Sequence, residues 1–143
     1  MRTNIPPVVL VCELESQWTP LFRRGLARFS MDAVQQAGIP AFPLDSKVCA
    51  VGISVSERNV EQAWVWVQRS WTEVPQIAVA VLGDRTAVLP LCEAGICLPV
   101  SGALEVPGAC RYLARSTQRK ERNRRSESLV PIVILPWHAA TTK

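Results

Sequence analysis

The side chains of this chain that could do chemistry stand just after its apolar runs. Glu13 and Glu15 follow the run from Pro7 to Cys12, and Ser54 and Ser56 close the run that starts at Val48. Carboxylates so placed could hold a hard divalent cation through oxygen. A serine could act as a nucleophile only with a base beside it, and no neighbouring residue supplies one. Glu13 and Glu15 therefore read as a solvated turn, with a vestigial cation site as the alternative. The one histidine, His138, lies far down the chain, so a nucleophile–histidine arrangement would need the tail to fold back. Gly83-Asp84-Arg85-Thr86 carries a single glycine and reads as a turn, not a phosphate loop. No catalytic residue and no cofactor are expected.

The five cysteines are Cys12, Cys49, Cys92, Cys97 and Cys110, and most sit in apolar runs. Thiols so placed behave as small hydrophobes. Cys92 and Cys97 are the close pair. Without a CxxC or a nearby histidine the spacing gives a zinc tetrad poor support, and no metal site is expected.

Two features suggest contacts. Trp64, Trp66 and Trp71 share one helical stretch, with Trp64 and Trp71 toward the core and Trp66 on the far side. An exposed Trp66 would mark a contact surface. From Arg115 to Arg125, six basic residues (Arg115, Arg119, Lys120, Arg122, Arg124, Arg125) face one acid, Glu121, while the whole chain carries only +4. Such a segment could meet phosphate backbones. A solvated helix end complementing the dipole explains it more simply.

These residues must be positioned by a chain whose 143 residues fit one domain. A chain of that length buries roughly two thirds of its unfolded surface, enough for a core without staples. Val8–Cys12 and Val48–Val55 read as strands buried on both faces. Gln76–Leu82 and Ile96–Val100 read as two more. Pro40 and Pro43 demote Ile39–Leu44 to an edge strand. Helical spacing covers Trp18–Phe29, with Pro20 in the first turn, and Met31–Ala37 before Gly38. It also covers Asn59–Trp71, with Asn59 as N-cap, Thr86–Ala94 closed by Gly95, and Leu104–Arg119. The alternation predicts an α/β fold: a three-layer, doubly wound, five-stranded parallel sheet with helices on both faces. The domain is expected over residues 1–119. Residues 120–143 are expected as a basic segment and an apolar tail, Leu129 to Trp137, suited to an added edge strand or a docking segment.

The order of elements resembles the receiver domain of bacterial response regulators, over roughly residues 7–119. The sharpest stretch is Glu93-Ala94-Gly95-Ile96-Cys97-Leu98-Pro99-Val100-Ser101-Gly102-Ala103-Leu104-Glu105. Its Ala-Gly and Leu-Glu pieces match the end of a receiver's fourth helix and the opening of its fifth. The resemblance implies a flavodoxin-like sheet of order 2-1-3-4-5. It also implies where the phosphoryl-transfer parts would stand, and this chain departs from them. The acceptor aspartate's place at the end of strand three holds Ile53, Ser54, Val55 and Ser56. The hydroxyl place after strand four holds Leu82 or Gly83. The lysine place holds Val100, and its proline's place Ser101. The remaining site is Glu13, Glu15, Ser54 and Ser56.

The resemblance thus implies a degenerate receiver: a non-phosphorylatable regulatory module, not an enzyme, that acts by protein contact in signalling. The partner surface would lie over about Thr86–Leu113, extended by Trp66, Arg119, Lys120, Arg122, Arg124 and Arg125. A protein partner such as a kinase or regulator is expected, with self-association as an option. Nucleic-acid binding through residues 115–125 is one alternative, and a small doubly wound nucleotide binder is another. Neither a signal peptide nor a run of eighteen apolar residues is found, so no membrane partner and a cytoplasmic location are expected.

Overall fold

The computed structural model describes residues 6–92 and 97–129, with side chains to 119. The elements run β1 (Val8–Cys12), α1 (Thr19–Ala27), β2 (Asp32–Gln36), β3 (Val48–Val55), α2 (Val60–Glu73), β4 (Ala78–Gly83), α3 (Arg85–Cys92), β5 (Leu98–Val100), a 3-10 turn (Ala103–Glu105) and α4 (Val106–Leu129). The five strands pair in parallel in the order β2-β1-β3-β4-β5. This is the expected doubly wound, flavodoxin-like sheet.

Alternating strand residues feed two cores. Val9, Val11, Ala33, Ala50, Ala80, Leu82 and Val100 meet Phe22 and Leu26 of α1 and Cys110 and Leu113 of α4 on one face. Val51, Ile53, Val55, Val79 and Val81 meet α2 and α3 on the other. Burial on both faces explains why these strands are near-continuous apolar runs. Gly25 lets α1 and α4 approach closely: a Cβ there would lie 2.7 Å from the Cys110 Sγ.

The second strand differs from expectation. Met31–Ala37 is not a helix; it supplies β2, and Ile39–Leu44 is not a strand. The reason lies at the end of α1. Ser30 takes the left-handed conformation at φ 57°. Its N–H donates to the Ala27 carbonyl, and the Met31 N–H reaches back to the Leu26 carbonyl. This pair of bonds is the Schellman stop, with Met31 and Leu26 in the same core. The chain leaves it extended, and Asp32 to Gln36 pair residue for residue with Val8 to Cys12. Helix-forming Met, Ala and Gln yield here to tertiary pairing.

No helix joins β2 to β3. The irregular segment after Gly38 lays Ile39, Phe42 and Leu44 on the α2–α3 face instead. Trp66 holds it. Its indole N–H donates to the Pro40 carbonyl at 2.7 Å, its ring stacks on Phe42 at 5.1 Å, and the Arg69 guanidinium caps Phe42 from 5.2 Å. Trp66 is therefore buried at 6% exposure, while Trp71 is 62% exposed. The expected orientation of α2 is corrected by this rotation: Ala63, Trp66, Val67 and Ser70 face inward.

α4 runs without a break across the expected domain boundary at residue 119 and ends at Leu129. Among its described side chains, which reach residue 119, the last buried against the domain are Leu113 and Ala114. The apolar tail beyond Leu129, His138 and the Gly95 helix stop lie outside the described residues. No helix among the described residues is long and apolar enough to cross a membrane.

Candidate functional site

The carboxyl ends of β1 and β3 open onto a cleft of about 240 Å³. In doubly wound sheets this rim, where strand order reverses, is the usual ligand crevice. Glu13, Glu15, Ser54 and Ser56 all line it, with Gln17, Ile39 and Asn59. The sequence-derived site residues are thus brought together. Their chemistry differs from what their identities suggest.

Glu13 is not in a solvated turn. It is 5% exposed and turned back onto the start of α1. Its Oε1 accepts the Gln17 N–H at 3.0 Å and the Trp18 N–H at 2.9 Å. Its Oε2 accepts the Thr19 N–H at 2.7 Å and the Thr19 hydroxyl at 2.6 Å. The first N–H groups of a helix lack intrahelical partners. Trp18, at the N-cap position, offers no side-chain cap. Glu13 fills that role from upstream, and negative charge is favoured there. Burial pushes its carboxyl pKa up, but the hydrogen bonds from Thr19, Trp18 and Gln17 outweigh it and hold the group below the ordinary value of 4.5.

The β3 side of the cleft is neutral. β3 ends at Val55, and Glu57 lies exposed beyond it. The Asn59 amide closes the following turn: its Nδ2 donates to the Ser54 carbonyl at 2.8 Å, and its Oδ1 accepts the Ser56 N–H at 2.7 Å. Asn59 precedes α2 as expected, but its side chain serves this turn and makes no cap bond to the helix. The Ser56 hydroxyl accepts the Arg58 N–H.

At the ends of β4 and β5, Leu82 and Val100 are fully buried in the α1–α4 core and do not reach the rim. The rim positions are Gly83 and Ser101. Gly83 has φ 146°, and a Cβ there would sit 2.5 Å from the Val55 carbonyl oxygen. No side-chain hydroxyl fits at that point without moving β3. The Ser101 hydroxyl donates to the Glu105 carboxylate at 2.6 Å.

A hard divalent cation such as Mg²⁺ would need carboxylate oxygens free to coordinate. Both Glu13 oxygens are taken by donors, which leaves Glu15 as the single free carboxylate in the cleft lining, beside the neutral oxygens of Ser54 and Ser56. These residues do not fit the ion. Among the described residues no cluster of three or more His, Cys, Asp or Glu side chains could hold a metal.

The expected contact residues are dispersed. Trp66 is enclosed by the β2–β3 segment, which corrects its assignment as an exposed contact. Arg119 is exposed on α4. Lys120, Arg122, Arg124 and Arg125 lie on the same helix, where only the backbone is described. Sequence reasoning missed Thr19, and it read Asn59 as a helix N-cap without its role in the turn after β3. A Thr-Pro pair at a helix start and an Asn after a strand were the available signals.

No protein-family model matches the chain, and no curated protein matches it. Solved structures do. A response regulator from Thermotoga maritima superposes with TM-score 0.63 at 16% identity, covering 80% of this chain and 99% of that one. A CheY-like protein (tadZ) from Pseudomonas aeruginosa PAO1 gives 0.62 at 20% identity, over 77% and 94% of the two chains. An adenylate cyclase from Rhodopirellula baltica gives 0.62 at 9% identity, over 88% and 100%. At these identities the likeness is one of fold, and that fold is receiver-like.

Proposed function

We propose that this chain is a regulatory module of receiver-like fold that accepts no phosphoryl group and acts through protein contacts. The observation that carries the reading is the state of the cleft. Its one buried carboxylate, Glu13, is committed to capping α1, and the end of β3 presents Ser54 and Ser56. Neither serine hydroxyl is hydrogen-bonded to a base, and the Ser56 hydroxyl accepts from the Arg58 N–H, so the cleft lacks an activated nucleophile. The rim of β4 carries Gly83, where a hydroxyl would collide with Val55. A module of this kind turns over no substrate.

The contact surface in this reading is the α3–β5–α4 side. There Leu89 is 44% exposed and Leu104, on the 3-10 turn, 97% exposed. Large apolar side chains in water favour a partner that covers them. A kinase or another regulator, or a second copy of the chain, would fit that role. With the genuine partner in hand, Leu104→Glu and Leu89→Glu weaken binding at least tenfold in titration calorimetry without changing the melting temperature. Unchanged affinity in both variants counts against this surface.

Nucleic-acid binding is the second reading, and the continuity of α4 favours it. A single helix carries Arg115 to Arg125 beyond Leu113 and Ala114, the last buried among the described side chains of α4. A salt-dependent gel shift that disappears when Arg122, Arg124 and Arg125 become Ala would support it.

A further inference from the structure

Cys92 closes α3 and Cys97 stands just before β5. Their Sγ atoms are 3.2 Å apart, and the Cys97 thiol also lies 3.2 Å from the Leu91 carbonyl, to which it donates. Both are half-buried, whereas Cys12 and Cys110 are buried. The two side chains pack at the edge of the α2–α3 core, where α3 and β5 meet. Two sulfurs in direct contact on adjoining elements need to approach by only about 1 Å to reach the roughly 2.05 Å of a disulfide bond.

We propose that Cys92 and Cys97 form a reversible dithiol–disulfide couple, a modification site that ties α3 to β5 when oxidised by a small disulfide such as oxidised glutathione. The exchange balances in two steps. The Cys92 thiolate attacks one glutathione sulfur and forms a mixed disulfide, and the departing glutathione thiolate takes the proton that Cys92 lost. The Cys97 thiolate then attacks the Cys92 sulfur, and the second glutathione thiolate leaves with the Cys97 proton. Two thiols become one disulfide, and oxidised glutathione becomes two reduced molecules. Cys92 is the attacking group because the Cys97 S–H, by turning from the Leu91 carbonyl to the neighbouring sulfur, can donate to its thiolate. Burial raises both thiols, and at Cys92 that hydrogen bond works against the rise. At Cys97 the charge of the neighbouring Cys92 adds to it. The exchange is therefore slow at neutral pH and accelerates as pH rises.

The test equilibrates the folded full chain across graded ratios of reduced to oxidised glutathione. Acid quenching, alkylation in denaturant and trypsin digestion follow. One tryptic peptide, residues 86–111, contains Cys92, Cys97 and Cys110. The oxidised chain should yield this peptide with Cys110 alone alkylated, two hydrogens lighter at the pair, and restored by dithiothreitol. Cys97→Ser should stop at a glutathione adduct on Cys92, while Cys110→Ser should still form the bond. Persistent alkylation of both thiols at the most oxidising ratio would overturn the proposal. So would pairing of Cys110 as often as Cys97, or a lasting glutathione adduct on Cys92 in the wild-type chain. The wild-type peptide map decides the matter even where a variant fails to fold.

Discussion

Glu13 illustrates how one residue can keep its chemical identity and change its role. A carboxylate after β1 could coordinate a cation, yet here it accepts the amide protons of Gln17, Trp18 and Thr19. Hydrogen bonds to a charged group contribute about 1.5–3 kcal/mol, and a helix cap about 1 kcal/mol. Glu13→Ala is therefore expected to destabilise the fold by about 2 kcal/mol in urea titrations. The pH dependence follows from the lowered carboxyl pKa. A depressed folded value means that the stabilisation is fully present above the ordinary value of 4.5 and is lost as pH falls through the folded value. The gap between wild type and Glu13→Ala should thus be constant near neutral pH and narrow in acid. A gap that widens on acidification would contradict the capping role. The sequence made the acidic residue legible at the rim. It did not reveal the burial, because that depends on Trp18 and Thr19 folding back over it.

At the scale of elements, α2 and β2 show where pattern reading stops. Val60, Ala63, Trp64, Val67 and Trp71 form one plausible stripe on α2, and Ala63, Trp66, Val67 and Ser70 form another. The two share Ala63 and Val67, so periodicity alone cannot rank them. The choice is made by the segment between β2 and β3, whose Pro40 carbonyl and Phe42 ring engage Trp66. That segment has no helical pattern, so its covering role was not visible. Met31–Ala37 misled for a related reason: its residues suit a helix, and only the left-handed Ser30 and the pairing with β1 make it a strand. The strands β1, β3 and β4 were legible because full burial leaves an unbroken apolar run. Trp66→Ala is expected to cost about 3–5 kcal/mol in chemical denaturation, as for other buried aromatics. Trp71→Ala is expected to stay within about 0.5 kcal/mol. A larger cost at Trp71 than at Trp66 would show that α2 is rotated the other way.

At the scale of the whole molecule, five parallel strands in the order 2-1-3-4-5 form a receiver-like sheet whose β1 and β3 ends open onto a cleft lined by Glu13, Glu15, Ser54 and Ser56. The order of elements was legible from alternation, and the receiver likeness followed from spacing. The places opposite β4 and β5 were less so, since one residue of register separates the buried Leu82 and Val100 from the rim residues Gly83 and Ser101. The proposed module accepts no phosphoryl group at this cleft. The most direct test incubates the full chain with acetyl phosphate and Mg²⁺, beside a phosphorylatable receiver, and reads intact mass together with acid- and base-labile label. No phosphoryl adduct is expected under conditions that modify the control. A stoichiometric adduct, stable only near neutral pH as an acyl phosphate would be, would contradict it.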